Sequence, residues 1–121
     1  STTNTFPSTK QGIKVGTLSA DVQAKVKAAI AAWVNDVDDS SATAYLATYE
    51  SELANTYICY ASNTSAKAGD ASSFFTSNTD YVRIDGPSVW IEFICQNGVV
   101  ISNQIHYHTV MRDHNRDYIG L

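Results

Sequence analysis

The stretch from Asp80 to Asp113 constrains the fold most, because it contains three segments with the composition of β-strands. The first, Tyr81–Ile84, stops at Asp85-Gly86-Pro87, where a glycine and a proline favour a reversal of the chain. The second, Val89–Cys95, is β-branched and aromatic and precedes Asn97-Gly98, a strong signal for a two-residue hairpin turn. Consecutive strands joined by short turns predict an antiparallel sheet.

The third strand is predicted from Val99 to about Val110, and the turns set its register. A two-residue turn would pair Gln96 with Val99, which places Trp90 opposite Ile105. Because side chains alternate along a strand, one face receives the better apolar set: Val82, Ile84, Val89, Ile91 and Phe93. The opposite face receives a more polar set: Tyr81, Arg83, Trp90 and Glu92.

His106 and His108 share one side of the third strand, and two arrangements remain open for them. In the plain register both imidazoles lie at the rim of the core, partly buried and hydrogen-bonded. A β-bulge within Ser102-Asn103-Gln104 would instead shift the parity of the strand and move both histidines to the face with Arg83 and Glu92. The second arrangement assembles a polar site.

The length and charge of the chain limit its possible partners. Its 121 residues are enough for one domain with one hydrophobic core. Eight Lys and Arg residues against 12 Asp and Glu residues give a formal net charge of −4, and the sequence contains no basic cluster. Nucleic acid and anionic membrane surfaces are therefore not expected partners. No apolar run reaches the length of a membrane span, so none is predicted.

Two helices are predicted before the strands. Ser19 is a suitable N-cap, and apolar residues then recur at helical spacing to about Asp36. Asp38–Ser41 supplies a second cap, and a second apolar stripe runs to about Asn55. Thr56–Tyr60 alternates like a strand. The predicted fold class is α+β, with two N-terminal helices packed on a mainly antiparallel sheet of about four strands.

Residues 1–121 are predicted to form a single domain. Its parts in order are an arm or extended segment at 1–16, a helical pair at 19–55, a sheet at 56–113 with a long loop at 62–79, and a tail at 114–121. The loop is small and polar apart from Phe74 and Phe75. A loop of this length is usually functional or mobile, and the alternative is a surface excursion held by the two phenylalanines.

Cys59 and Cys95 both lie in predicted strands. A disulfide between them is expected if the strand at 56–60 lies beside Val89–Cys95. The alternative is two buried free thiols in a reducing compartment. The sequence contains no CxxC motif or Cys/His cluster with the spacing of a structural zinc site.

His106 and His108 are candidate metal ligands, because residues i and i+2 of a strand point to the same face. His114, or a carboxylate such as Glu92 or Asp113, would complete three ligands for a divalent transition metal, zinc or copper. In a metal-assisted reaction, Glu92 or Asp113 would be the catalytic acid–base group. The alternative is a pair of hydrogen-bonded histidines at a sheet edge.

The candidate ligand-binding residues are Arg83, Trp90, Tyr107 and Arg112. Arg83 and Trp90 are expected to be cross-strand neighbours, which suits a cation–π contact, and Glu92 lies within reach of Arg83. The alternative is a salt-bridged sheet surface without a ligand. The sequence contains no nucleophile elbow and no phosphate-binding glycine loop.

Several of these segments together resemble the C-terminal part of the secreted domain-of-unknown-function 3500 family. The resemblance is carried by Asp80–Phe93, His106–Val110, Arg112-Asp113 and Asp117-Tyr118. It extends back through Tyr49–Leu53 and the helix that begins at Ser19, so it covers nearly the whole chain.

The resemblance implies a family without an established activity, an extracellular location, and longer relatives in which an N-terminal region precedes this part. The chain would then be a C-terminal piece freed by processing or truncation. Its exposed apolar surface would favour self-association or retention of a cleaved N-terminal portion. An extracellular location also favours the Cys59–Cys95 disulfide. Two functional hypotheses follow: a His-centred site for a metal or small polar ligand, and a structural or assembly subunit without catalytic activity.

Overall fold

The computed structural model describes residues 6–36, 38–62, 66–67, 69–98, 100–101 and 103–117. Over these residues it contains two helices and a five-stranded antiparallel sheet. The elements in chain order are β1 (Ile13–Lys14), α1 (Ala20–Val34), α2 (Asp39–Ser51), β2 (Tyr57–Ala61), β3 (Tyr81–Asp85), β4 (Val89–Asn97) and β5 (Ile105–Asp113). The strands lie side by side in the same order, from β1 at one edge to β5 at the other.

The predicted α+β class is confirmed, but the sheet has five strands in the described residues rather than about four. The additional strand is β1, which lies within the expected arm and pairs with β2, so that Ile13 faces Ile58. The first five residues of the arm and the last four residues of the tail lie outside the described residues.

Both helices begin at their predicted caps. The Oγ atom of Ser19 accepts a hydrogen bond from the N–H of Val22 at 3.4 Å, and the carboxylate of Asp38 accepts one from the N–H of Ser41 at 3.0 Å. α2 stops before Leu53–Asn55, which form a separate 3₁₀ turn, so the expected end of the second helix was too late. Among the described residues, neither helix has the length and apolar character needed to traverse a bilayer.

Side chains from helices and strands contribute to one buried cluster. The members from the helices are Val26, Ile30, Val34, Ala42 and Tyr49. The members from the strands are Ile84, Val89 and Ile91, which all point to the same side of the sheet. We call this side the core face. Each fully buried Val or Ile contributes roughly 1.5–3 kcal/mol, so this cluster is the main source of stability.

The reversal predicted at Asp85-Gly86-Pro87 is confirmed. The N–H of Gly86 donates to the carbonyl of Val89 at 2.8 Å and closes the connection between β3 and β4. The register differs from the expected one by two residues, because Ile84 lies opposite Ile91 rather than Val89. A shift of two residues leaves every side chain on its predicted face.

The two-residue turn predicted at Asn97-Gly98 is wrong. Asn97 still belongs to β4 and lies opposite Ile105, so seven residues join the strands rather than two. The N–H of Gly98 donates to the carbonyl of Gln104 at 2.8 Å, and the ladder therefore continues past the asparagine. A Cβ atom on Gly98 would lie 2.1 Å from the carbonyl oxygen of Ile101. The glycine is thus required for a close backbone approach.

The longer connection reverses the two faces of β5. His106 lies opposite Gln96 and His108 lies opposite Ile94, whereas the expected register set His106 opposite Val89. The displacement is seven residues, and an odd displacement moves every side chain of a strand to the other face. Both histidines therefore lie on the side of the sheet that faces away from the core. We call their side the polar face; it also carries Arg83, Trp90 and Glu92.

Aromatic contacts hold the described part of the long loop at 62–79 against the sheet. The ring of Tyr60 lies 5.0 Å from that of Phe74 and 6.1 Å from that of Phe75, measured between centroids. Phe75 also contacts Phe93 at 4.9 Å. These contacts support the interpretation of the loop as a surface excursion held by its two phenylalanines.

Candidate functional site

His106 and His108 form an exposed pair on the polar face. They are successive same-face residues of β5, and their ring centroids lie 4.4 Å apart with an interplanar angle of 57°. Both side chains are exposed, and their cross-strand partners, Ile94 and Gln96, are uncharged. The strand therefore holds two imidazoles close together where a solute can reach them, as a two-point metal site requires.

His114, the predicted third metal ligand, lies in another part of the structure. It follows the end of β5, and its Nε2 atom lies 3.1 Å from an oxygen of Asp85. Its ring centroid lies 4.0 Å from that of Phe6 and 5.9 Å from that of Trp90. Within the described part of the chain, no three His, Cys, Asp or Glu side chains form a group that could hold a metal ion. The chain therefore brings together two of the three expected ligands.

Arg83 contacts Trp90 and Tyr81 within the polar face. Its guanidinium carbon lies 4.6 Å from the centroid of the Trp90 ring, which is the cation–π contact that the sequence predicted. Its Nε–H donates to the Tyr81 hydroxyl at 2.8 Å, and that hydroxyl donates to Glu92 at 2.6 Å. Burial and the hydrogen bond to Glu92 raise the pKa of Tyr81 to about 12. Tyr81 therefore stays protonated at neutral pH and links the arginine to the carboxylate.

Of the two predicted acid–base groups, Glu92 is the one that lies on the polar face. It faces Val110 across the β4–β5 ladder, so His108 is its diagonal neighbour on the same face. Diagonal neighbours in an antiparallel pair are roughly 7–8 Å apart, within reach of long side chains. Glu92 thus shares a face with both histidines and neighbours His108, while its carboxylate accepts the hydrogen bond of the Tyr81 hydroxyl on β3.

Asp113, the other predicted acid–base group, lies on the core face and is not brought near the histidines. Its carboxylate accepts hydrogen bonds from the Tyr49 hydroxyl at 2.8 Å, from an Arg116 side-chain N–H at 2.7 Å and from the backbone N–H of Asn115 at 2.9 Å. Burial alone would raise the pKa of Asp113, but these hydrogen bonds outweigh it, and the pKa falls below its ordinary value. Asp113 is a charged anchor of the fold that lies apart from the two histidines, and its expected catalytic role stays a prediction.

The four predicted ligand-binding residues divide between the two faces. Arg83, Trp90 and Arg112 share the polar face, where Arg112 is exposed and lies opposite Trp90. Tyr107 lies on the other side of β5, where its ring stacks on Phe93 with centroids 5.6 Å apart. The structure therefore does not bring Tyr107 into the group.

The N-terminal segment contacts the polar face through Lys10 and Phe6, and the sequence did not predict this contact, which we call the clasp. The Nζ atom of Lys10 lies 2.5 Å from an oxygen of Asp85, and that same oxygen contacts His114. The ring of Phe6 lies 5.1 Å from that of Trp90. Asp85 is completely buried. No local pattern signals this contact, because 75 positions separate Lys10 from Asp85.

The expected disulfide is absent, since Cys59 and Cys95 are free cysteines. Cys59 lies opposite Arg83 on the polar face of β2, whereas Cys95 points to the core face of β4. β3 separates the two strands, so the expected neighbourhood of β2 and β4 is also wrong. Burial raises the pKa of the Cys95 thiol, which makes it a poor nucleophile.

An apolar groove of about 580 Å³ lies between α1 and the first three strands. Its lining includes Ile13, Val22, Lys25, Val26, Ile58, Val82 and Ile84. The groove adjoins the core-face side of the sheet, away from the two histidines. Its aliphatic lining does not supply a set of metal ligands.

A comparison with protein families matches residues 1–120 to the family described as "Protein of unknown function (DUF3500)". This match covers the segments on which the sequence resemblance was based. No curated protein and no solved structure matches the chain. Because the family model spans nearly the whole sequence, the chain belongs to the DUF3500 family of proteins of unknown function.

Proposed function

We propose that this domain binds a divalent transition metal, zinc or copper, through His106 and His108. The observation that carries the proposal is the 4.4 Å separation of the two ring centroids on an exposed face. Imidazole nitrogen is a preferred donor for both metals. Because both rings project from one rigid strand, their relative position is largely set before a metal arrives.

Neighbouring groups on the polar face would act on a small polar ligand of the bound metal. Arg83 lies two strands away from the histidines and is aligned with Val110. With about 4.8 Å between strands and about 3.4 Å per residue, its Cα lies roughly 12 Å from that of His108 and roughly 17 Å from that of His106. Its Nε–H is held by Tyr81, which fixes the orientation of a guanidinium that suits carboxylate or phosphate groups. In metal-assisted chemistry, Glu92 would be the acid–base group, because its carboxylate is diagonal to His108.

Calorimetric titration of chelator-stripped protein with zinc and with copper tests the proposal. His106→Ala and His108→Ala should each weaken binding by at least about tenfold, because even the loss of an outer-shell partner costs that much. His114→Gln is the matched control, since the third histidine lies with Asp85 and should leave the affinity unchanged. Metal binding that survives both alanine substitutions, or no metal binding by the unmodified protein, would contradict the proposal.

A second candidate function, a non-catalytic assembly subunit, is supported by exposed apolar side chains near β5. Val100 is 94% exposed, Ile101 50% and Tyr107 52%. The partner in this case is a second copy or a cleaved N-terminal portion of the same protein. Light scattering in the presence of chelator discriminates the two candidates, because assembly without metal supports this one and a monomer contradicts it. The extracellular location implied by the family resemblance remains a prediction, which a secretion assay in the source cells would test.

A further inference from the structure

We infer that two copies of the chain pair through the outer edges of their β5 strands and form one metal site from four imidazoles. The site consists of His106 and His108 of one copy and the same two residues of the second copy. This inference rests on the proposed metal binding and identifies the missing ligands.

Within the part of the chain that the structure describes, no strand lies beyond β5, and the residues of this strand carry few of the features that usually prevent edge pairing. β5 is nine residues long and is the last strand of the sheet in the described residues. Natural edge strands are generally blunted by lysine, proline, inward-pointing charge or a bulge. The segment Ile105–Met111 contains no Lys, Arg, Asp, Glu or Pro residue. Pairing two copies there would neither bury a formal charge nor lose a backbone donor.

Hydrogen bonds at both ends of the β4–β5 ladder show which backbone groups of β5 point outward. The N–H of Gly98 donates to the carbonyl of Gln104, and the N–H of His114 donates to the carbonyl of Ser88. Hydrogen-bonded positions recur at every second residue of an antiparallel ladder, so the even-numbered residues of β5 bond to β4. The backbone groups of the five odd-numbered residues therefore point away from the sheet: Ile105, Tyr107, Thr109, Met111 and Asp113.

The end of β5 confirms this direction. The N–H of Asp113 donates to the carboxylate of Asp117 at 2.8 Å, and the carbonyl of Asp113 accepts from the N–H of Asp117 at 3.2 Å. The chain thus turns back on its own outward-pointing groups and closes the edge there. Ile105–Met111 is the part that stays available to a second copy.

A two-fold axis through Tyr107 gives a register that satisfies these outward-pointing groups. Tyr107 pairs with Tyr107 of the second copy, and Ile105 pairs with Thr109 of the second copy. In each pair, residues with outward-pointing backbone groups lie opposite each other, so each N–H can donate to a carbonyl of the other copy. His106 then lies opposite His108 of the second copy, and the reverse pair forms by symmetry. Arg112 falls outside the overlapping residues, so like charges are not placed opposite each other.

The axis runs perpendicular to the sheet, and the polar faces of both copies therefore lie on the same side. The Cα atoms of a cross-strand pair without mutual hydrogen bonds are roughly 4.5 Å apart, so the imidazoles of the two copies project side by side from the same face. Structural zinc takes four ligands, and imidazole is a usual one. The described part of one chain gathers fewer than three such groups, and the second copy doubles the histidine pair.

Sedimentation of chelator-stripped protein, with zinc as the probe and bound zinc measured in parallel, tests this inference. Zinc should shift the mass from one copy to two at one ion per two chains. Thr109→Pro removes an outward N–H without touching the β4 ladder, and Thr109→Lys adds a charge to the edge. Both should keep the protein at the mass of one copy in zinc. Thr109→Ala, which keeps the N–H, is the matched control and should still pair.

The alternative results separate the two proposals. One zinc per chain without a change of mass would overturn the shared site and leave metal binding by His106 and His108 standing. No zinc binding by the unmodified protein would overturn both. Zinc-dependent pairing that neither Thr109→Pro nor Thr109→Lys weakens would overturn the β5 edge as the contact.

Discussion

The hydroxyl of Tyr49 on α2 donates a hydrogen bond of 2.8 Å to the buried carboxylate of Asp113 at the end of β5. This bond joins residues that are 64 positions apart and connects a helix to the last strand. Tyr49→Phe should lower the free energy of unfolding by about 1–3 kcal/mol, because a buried charged acceptor loses a donor. Urea denaturation measures this change. Tyr45→Phe is the matched control, since Tyr45 stacks on Tyr49 with centroids 5.9 Å apart. Equal effects of both substitutions would contradict the assigned role of the hydrogen bond.

Asp113 should also make stability depend on pH in the acid range. Its folded-state pKa lies below the ordinary value, so its contribution is fully present above the unfolded pKa of about 4 and is lost as the pH falls through the folded pKa. Asp113→Asn should therefore flatten the fall in stability below about pH 4. The loss of stability in acid should not vanish in this variant, because Asp80 contributes to it as well. Burial raises the pKa of Asp80, but the hydrogen bonds that its carboxylate accepts outweigh burial and lower that pKa. Unfolding free energies between pH 2 and pH 7 test this, and identical slopes would refute it.

Gly12 should tolerate substitution much less well than Gly69. Both have positive φ angles, of 91° and 83°, so alanine is strained at either position. A Cβ atom on Gly12 would lie 2.0 Å from the carbonyl oxygen of Ile58, whereas nothing lies within 4 Å of one on Gly69. Gly69→Ala should cost about 1–2 kcal/mol of backbone strain, and Gly12→Ala distinctly more. Thermal unfolding of the two variants compares them, and equal losses would contradict the close packing of β1 on β2.

Both cysteines should be available as thiols. Without reductant, two thiols per chain should react with a thiol reagent in denaturant. In the folded state Cys59 should react faster than Cys95, because Cys95 is buried and its pKa is raised by burial. Mass spectrometry after alkylation measures both quantities. A mass that shows no reactive thiol would restore the disulfide expected from the sequence.

The sequence predicted well the features that depend on neighbouring residues. Ser19 and Asp38 cap their helices through their own side chains, and the glycine and proline after Asp85 reverse the chain by local geometry. The faces of β3 and β4 were also correct, because a register error of two residues does not exchange faces.

The predictions from the sequence were wrong where contacts between residues far apart in the chain determine the structure. Asn97-Gly98 has the composition of a tight turn, but the bond from Gly98 to Gln104 favours a longer connection. Of the bulge proposed at Ser102–Gln104, Ser102 lies outside the described residues, and the other two positions precede β5. The parity of the histidines therefore changed through the length of the connection.

The candidate site was predictable in part for the same reason. Arg83, Trp90 and Glu92 lie on strands joined by the correctly predicted turn, so their common face was foreseen. The anchor at Asp113 and the clasp from Lys10 to Asp85 depend on tertiary contacts that leave no periodic signal in the sequence.

X-ray absorption at the zinc edge tests most directly whether His106 and His108 bind one metal ion together. Zinc-loaded protein should show nitrogen neighbours at about 2.0–2.1 Å together with the outer-shell scattering of imidazole rings. His106→Ala should remove part of that scattering, whereas His114→Gln should leave it unchanged. A spectrum of oxygen or sulfur neighbours without imidazole scattering would contradict a metal site built on these two histidines.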